Sequence, residues 1–223
     1  MGKLTIALDG PAGSGKSSVA KQIAKTLGIL YLDTGAMYRA VGYDILKKGI
    51  DPLDRERVES AMKDIDVLIR FIDGQQQVWV NGEDVTGKIR TPEISKAASD
   101  VSAHPAVRMA MVELQRETSE QYDMILDGRD IGTFVLPNAE FKFYLVASCE
   151  ERARRRHKEL AERGIDRPLS EIQREMEQRD YNDSHRALAP LKQAEDAVLI
   201  DSTAMTIDEV ARQIIDTIKG EVK

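Results

Sequence analysis

The segment Gly10-Pro11-Ala12-Gly13-Ser14-Gly15-Lys16-Ser17 constrains this chain more than any other. It fits G-x-x-x-x-G-K-[ST], the phosphate-binding P-loop. Such a loop functions between a strand and a helix, and the flanking residues predict both. Leu4-Thr5-Ile6-Ala7-Leu8 is a short apolar run that reads as a buried strand, Leu4–Asp9. Beyond the loop, Val19, Ile23, Ala24 and Leu27 recur at helical spacing, and Gly28 is placed to stop the helix. Glycines allow backbone N–H groups to turn inward onto phosphate oxygens, and the helix N-terminus adds partial positive charge. On this reading Gly10–Ser17 with Ser18 bind the phosphates of a nucleoside triphosphate, with Lys16 on the β- and γ-phosphates and Ser17 on Mg²⁺. The competing reading, a glycine turn that carries a lysine by chance, leaves the strand and helix unexplained.

Short apolar runs alternate with helical patterns along the rest of the chain, which is the α/β signature. The candidate parallel strands are Leu4–Asp9, Ile29–Asp33, Met124–Asp127, Phe141–Val146 and Ala197–Asp201. Ser148 with Glu151, Ser170 with Gln173, and Thr206 with Glu209 match capping boxes, and Thr91-Pro92 sets proline at a first helical position. Ile207, Val210, Ala211, Ile214, Ile215 and Ile218 form one apolar stripe, expected to face the core. The alternation breaks at Val67–Ile72, Asp73-Gly74, Val78–Val80 and Asn81-Gly82, which read as an antiparallel meander with primed turns. Two readings of this 67–89 insert stand: a flap over a second substrate, or a decoration that packs only on itself.

The length, 223 residues, suits one substantial core with a small subdomain. A net charge of −6 argues against a general nucleic-acid binder. Cys149 is the sole cysteine, so neither an internal disulfide nor a cysteine-rich zinc site is available. No apolar run is long enough for a membrane span, and the first strand begins where a signal peptide would lie. A cytoplasmic location is expected, and nothing in the chain demands more than a monomer.

Three clusters bear on the chemistry that a bound nucleotide would serve. Asp33-Thr34-Gly35-Ala36-Met37-Tyr38-Arg39 follows a strand, at the sheet edge where open α/β folds bind ligands. Thr34 and Arg39 are candidates for a second phosphate, against the plain alternative of a surface helix arginine. Ile125-Leu126-Asp127-Gly128-Arg129-Asp130 is an apolar strand ending in aspartate, like a Walker B strand whose carboxylate orients Mg²⁺ or its waters. Arg129 and Asp130 either enter the cleft or close the loop as an ion pair. The third cluster runs through Arg152, Arg154, Arg155, Arg156, Lys158, Arg163 and Arg167 to Arg179, Asp183 and Arg186. Interleaved Glu150, Glu151, Glu159 and Glu162 make most of it a solvated helix face, while two or three arginines are expected in a lid that keeps water off the transferring phosphate.

Together these segments resemble the bacterial type of cytidylate kinase, a branch of the nucleoside monophosphate kinases. The resemblance rests on Gly10–Ser17, Leu32–Arg39, Ile89-Arg90-Thr91 with Ala97-Ala98-Ser99, Asp127–Thr133, Arg179-Asp180, Asp183, Arg186–Pro190 and Asp201-Ser202-Thr203. It implies an α/β three-layer sandwich of the P-loop nucleoside triphosphate hydrolase type: a five-stranded parallel sheet flanked by helices, a monophosphate-binding lobe near residues 35–120, and a short lid near 150–168. It implies γ-phosphoryl transfer from ATP to CMP or dCMP with Mg²⁺. By position, Arg39, Arg129 and Arg186 match residues that grip the acceptor phosphate. Arg179 and Asp183 match those near the sugar, and Ser99, Arg108 and Asp130 those that read the base. Thr34 stands where the family often has serine and keeps the hydroxyl. The resemblance puts Lys16, Arg129, Arg186 and Asp127 in the catalytic group. Among the lid arginines, which do not align uniquely, Arg156 is taken as an ATP ligand.

The base assignment also has a chemical rationale. Cytosine offers a donor at N4 and acceptors at N3 and O2, to which a carboxylate and a guanidinium are complementary. Uracil would set its O4 acceptor against the Asp130 carboxylate, a buried mismatch that discriminates strongly. Other readings are a different small-molecule P-loop kinase, such as one acting on uridylate, adenylate or shikimate; a nucleotide switch, for which the guanine-reading N-K-x-D segment is missing; and an RNA-interaction protein built on Arg152–Arg167.

Overall fold

The computed structural model describes residues 3–221. Strand β1 (Thr5–Asp9) leads through the glycine loop into α1 (Lys16–Leu27), followed by β2 (Leu30–Asp33) and α2 (Thr34–Lys47). After α3 (Arg55–Ala61) come β3 (Val67–Ile72), β4 (Gln75–Val80) and β5 (Glu83–Asp84), then α4 (Pro92–Val101) and α5 (Pro105–Gln121). The chain continues with β6 (Met124–Gly128), β7 (Phe141–Val146), α6 (Cys149–Glu162), α7 (Leu169–His185), β8 (Val198–Asp201) and α8 (Ile207–Glu221). Five strands form one sheet in the order β2-β6-β1-β7-β8, and β3-β4-β5 form a second, antiparallel sheet. β1 lies parallel between β6 and β7, with Asp9 opposite Gly128 and Tyr144, so the loop after β1 and the turn after β6 leave the same sheet edge. Ile6, Leu8, Ile125, Leu126 and Phe143 are buried, as expected of strands covered on both faces. Among the described residues, no helix is long and apolar enough to cross a membrane.

The strand ends differ slightly from the expected ones, for identifiable reasons. Ile29 is drawn into the end of α1, donating its N–H to Ala24 O at 3.0 Å, so β2 starts at Leu30. Ala197 closes a turn onto Ala194 O, so β8 starts at Val198. Leu4 lies outside β1, although its carbonyl accepts from Met124 N–H at 2.9 Å. Caps form at Thr91, Ser148 and Thr206, the last as a reciprocal box with Glu209. Ser170 is not a cap: Pro168 takes that place, and its carbonyl accepts from Glu171 and Ile172 N–H, leaving Ser170 in the first turn of α7. Along α8, Val210 to Ile218 are buried at the expected spacing, but Ile207, at the helix start, is exposed.

The molecule divides into two compact units, one of them Leu30–Asp123 and the other made from the segments before and after it. In the Leu30–Asp123 unit, both hairpin turns place two successive residues at positive φ, Asp73-Gly74 at 51° and 73° and Asn81-Gly82 at 49° and 77°, which the twist of paired strands requires. The insert does not pack only on itself. Asn81 Nδ2 donates to Asp44 Oδ1 on α2 at 3.1 Å, and Lys47 pairs with Glu83 at 2.6 Å. On its other side α2 meets α4 at Gly42, where an added Cβ would lie 3.0 Å from Ala98 N and 3.2 Å from Ala97 Cβ. A side chain there separates the two helices. Gly42→Val is therefore expected to destabilise the fold by about 2–3 kcal/mol through overpacking, read as a lower midpoint in urea unfolding.

Candidate active site

The loop after β1 owes its shape to backbone that only glycine tolerates. Gly10 has φ 146°, and a Cβ there would lie 2.0 Å from the Leu145 carbonyl oxygen on β7. Gly13 and Gly15 also have positive φ, and α1 begins at Lys16 directly behind them. Lys16 is buried and donates to Pro11 O at 2.6 Å and to Ser14 Oγ at 3.2 Å. Burial holds its pKa well below the usual lysine value, and the nearby Arg129 charge works in the same direction. An arriving anion would oppose both effects by favouring the charged form. Ser18, next along α1, is exposed and is tied through its N–H to Gly15 O at 3.1 Å.

β6 carries Asp127 to the same sheet edge, where its Oδ2 accepts from Ser17 Oγ at 2.6 Å. The hydroxyl and carboxylate thus sit together at the start of α1. Hard oxygen donors of this kind, one carboxylate and one hydroxyl beside a phosphate cradle, suit Mg²⁺, which takes its other ligands from phosphates and water.

Arg129 and Asp130 do not pair with each other in a closed loop. Arg129 Nε donates to Asp183 Oδ2 on α7 at 3.0 Å, and Asp130 Oδ1 receives Arg186 Nη2 at 3.1 Å. Burial opposes the Arg129 charge, yet the Asp183 carboxylate, joined by Asp127 and Asp180, outweighs it and lifts the guanidinium above its usual pKa. Burial likewise works against the Asp183 carboxylate, but Arg129, Arg179 and Arg186 together hold it below the usual carboxylate range. Arg179 is half-buried on α7, one turn before Asp183.

The basic stretch on α6 separates into two groups. Arg154 pairs with Glu150, Arg156 with Glu159 at 2.7 Å, and Arg163 with Glu159; Arg167, beyond the helix, pairs with Glu171 and Glu175. These are helix-face and turn pairs. Arg152 instead is buried, donating to Ala12 O at 3.0 Å and pairing with Asp180 at 2.6 Å. Arg155 does both: its Nε pairs with Glu151 at 3.0 Å along the helix and its Nη2 donates to Ser202 O at 2.6 Å, while Ser202 Oγ donates to Ser14 O at 3.1 Å. Arg152, Arg155 and Ser202 thus brace the loop from behind.

In the Leu30–Asp123 unit, Thr34 is buried as the first residue of α2, whose cap is Asp33. Arg39, one turn along, pairs with Asp33 Oδ2 at 2.7 Å. Arg90 reaches the same oxygen at 3.3 Å. Arg108 on α5 is buried, with Nη1 donating to the Tyr38 hydroxyl at 3.0 Å and the guanidinium 5.4 Å from the Tyr38 ring centre. Ser99 is half-buried on α4, its carbonyl accepting from Ser102 Oγ at 2.8 Å.

Sequence reasoning assigned no role to Asp9, Asp33, Arg90 or Ser202, although each lies in or beside a motif. The missed signal at Asp9 is a carboxylate directly after the buried apolar run Ile6-Ala7-Leu8. Its two oxygens accept from Ile131 N–H at 2.8 Å and Gly132 N–H at 2.7 Å, which pins the turn just beyond Arg129-Asp130. Burial raises the Asp9 pKa from 3.8 to about 6, with those two N–H groups opposing the shift. The folded chain therefore keeps a proton on Asp9 that the unfolded chain has released between these values. Stability due to Asp9 is present at low pH and is lost as pH rises through about 6. Relative to the parent chain, Asp9→Asn is expected to gain stability as the pH is taken from 4 to 7. Thermal unfolding of both proteins across that range tests this, and a pH-independent difference contradicts it.

A family model described as cytidylate kinase matches residues 6–220. The cytidylate kinase of Caldicellulosiruptor bescii is 49% identical over 223 residues, covering 100% of this chain and 99% of that protein. The cytidylate kinase of Ligilactobacillus salivarius is 51% identical over 217 residues, 97% of each chain. That of Halalkalibacterium halodurans is 47% identical over 222 residues, 100% of each. Among solved structures, an uncharacterized protein from Eubacterium ventriosum aligns with a TM-score of 0.53 at 12% identity, over 97% of this chain and 99% of that one. A shikimate kinase from Acinetobacter baumannii aligns with a TM-score of 0.50 at 15% identity, over 98% and 94%. At such identities the structural likenesses concern the fold alone, whereas the sequence likenesses run from end to end: this chain belongs to the cytidylate kinase family.

Proposed function

We propose that this protein is a (d)CMP kinase, acting as a cytoplasmic monomer that transfers the γ-phosphoryl group of ATP to CMP or dCMP and releases ADP with CDP or dCDP. The observation that carries the reading is family membership over essentially the whole chain. The geometry of the glycine loop supports it.

Phosphoryl transfer asks little covalent chemistry of a protein; it asks that two anions be held in line and the developing charge be neutralised. Gly10–Ser18 hold the ATP phosphates, and the Lys16 ammonium, whose charge burial and Arg129 oppose, gains most from theirs. Ser17 and Asp127 would hold Mg²⁺, Asp127 through water. When bound, this ion neutralises charge on the phosphate oxygens. Arg39, Arg129 and Arg186, with the Thr34 hydroxyl, take the acceptor phosphate. To do so Arg129 and Arg186 exchange their carboxylate partners, Asp183 and Asp130, for phosphate oxygens, while Arg39 stays on Asp33 and offers its remaining N–H groups. Arg179 and Asp183 serve the sugar. Ser99, Arg108 and Asp130 read the base, the carboxylate taking the N4 donor and the guanidinium the N3 and O2 acceptors. Arg156 and its neighbours on the lid, residues 150–168, cover the transferring group and exclude water. No general base is needed, because the acceptor phosphate is already an oxyanion at pH 7.

The direct test is ADP formation from Mg·ATP with CMP, dCMP, UMP, AMP, GMP and shikimate in parallel. Turnover is expected with CMP and dCMP above the rest, and preference for any other acceptor overturns the reading. Asp130→Ala is expected to cut turnover of CMP far more than that of UMP; equal losses would take Asp130 out of base recognition. Lys16→Ala is expected to lower kcat about 10²–10³-fold, as for loss of a charge that stabilises the transition state. A change confined to KM would contradict that role.

A further inference from the structure

The row Gln75-Gln76-Gln77 at the start of β4 has a feature that its sequence position hides. Along β4, Gln76, Val78 and Val80 share one face, and both valines are buried. An apolar residue would be the default at the end of that face. A carboxamide there costs free energy unless both its ends are hydrogen-bonded. Gln76 meets the requirement on one main-chain unit 43 positions away. Its Oε1 accepts from Asp33 N–H at 2.7 Å, and its Nε2 donates to Asp33 O at 3.3 Å. Gln77 instead faces its own strand, accepting from Trp79 Nε1, and Gln75 is exposed.

The residue so clamped is the one that organises the neighbouring arginines. Asp33 ends β2 and caps α2, with Oδ1 accepting from Ala36 N–H at 2.9 Å. Its Oδ2 holds Arg39 at 2.7 Å and Arg90 at 3.3 Å. A rotation of the Asp33 main chain would move the cap and both guanidinium groups together. Asn81 and Glu83 tie the insert to α2, so the strand that presents Gln76 is itself anchored.

We infer that Gln76 is a positioning residue for acceptor binding: its carboxamide fixes the Asp33 main chain, and through Asp33 the aim of Arg39 and Arg90. This gives the insert a stated task in the reaction. It rests on the proposal that Arg39 grips the acceptor phosphate.

The test compares KM for CMP, KM for ATP and kcat in Gln76→Ala, Arg39→Ala and the double variant. Gln76→Ala is expected to raise KM for CMP about five- to tenfold, as for loss of two hydrogen bonds of ordinary strength, with KM for ATP changed less than twofold. Placed on Arg39→Ala, the same change should add only about twofold, the part carried by Arg90, because most of the effect passes through the missing guanidinium. Were Gln76 only packing the insert, its factor would be the same in both backgrounds. Gln76→Met, which keeps the volume and removes both bonds, guards against misfolding of the alanine variant and should give the same split. An unchanged KM for CMP, an equal rise for both substrates, or equal factors in both backgrounds overturns the inference. Arg39→Ala with an unchanged KM for CMP overturns instead the acceptor-phosphate reading on which it rests.

Discussion

A loop that turns its N–H groups inward to meet phosphate must turn its carbonyls outward, and the protein has to satisfy them. Much of the surrounding unit serves that need. Pro11 O accepts from Lys16 and Ser14, Ala12 O from Arg152, and Ser14 O from Ser202. Arg152 is held in turn by Asp180 on α7, and Ser202 by Arg155 on α6. The backbone contact of Gly10 with Leu145 leaves no room for a side chain between loop and sheet. β7, α6, α7 and the turn after β8 are therefore bound to one loop geometry. Two arginines of a stretch that looks like a solvated helix face are committed to holding it.

A second constraint is charge. Several largely shielded guanidinium groups lie in a protein of net charge −6. Unpaired buried charges cost several kcal/mol each, so each is assigned an acidic partner. Arg39 has Asp33, Arg129 has Asp183, and Arg186 has Asp130. Such pairs hold the arginines in a fixed direction.

Most of the architecture was legible in the sequence, because its determinants are local. Apolar runs fell where strands form, Asp-Gly and Asn-Gly fell where primed turns form, and Thr91, Ser148 and Thr206 capped the helices they precede. The departures also have local causes: Pro168 displaced Ser170 as a cap, and Ile29 was consumed in closing α1. Candidate site residues were legible as residue types in motifs. Their partners were not, since Arg129 meets a residue 54 positions away and Asp33 one 43 positions away. The arginines of α6 illustrate the limit. Arg152, Arg154, Arg155 and Arg156 look alike in sequence, and only the packing of α6 beside the glycine loop separates the two that brace it, one of which also pairs along the helix with Glu151, from the two that only pair along the helix.

By itself, then, the sequence determined the phosphate loop, the α/β alternation, the antiparallel insert and the family, because each is written in short-range patterns of size, polarity and turn chemistry. The tertiary structure alone decided which acid holds which base, which arginines support the loop, and that Gln76 of the insert grips Asp33. Those choices depend on distances between segments remote in the chain, and such distances exist only once the sheets have formed and the helices have packed.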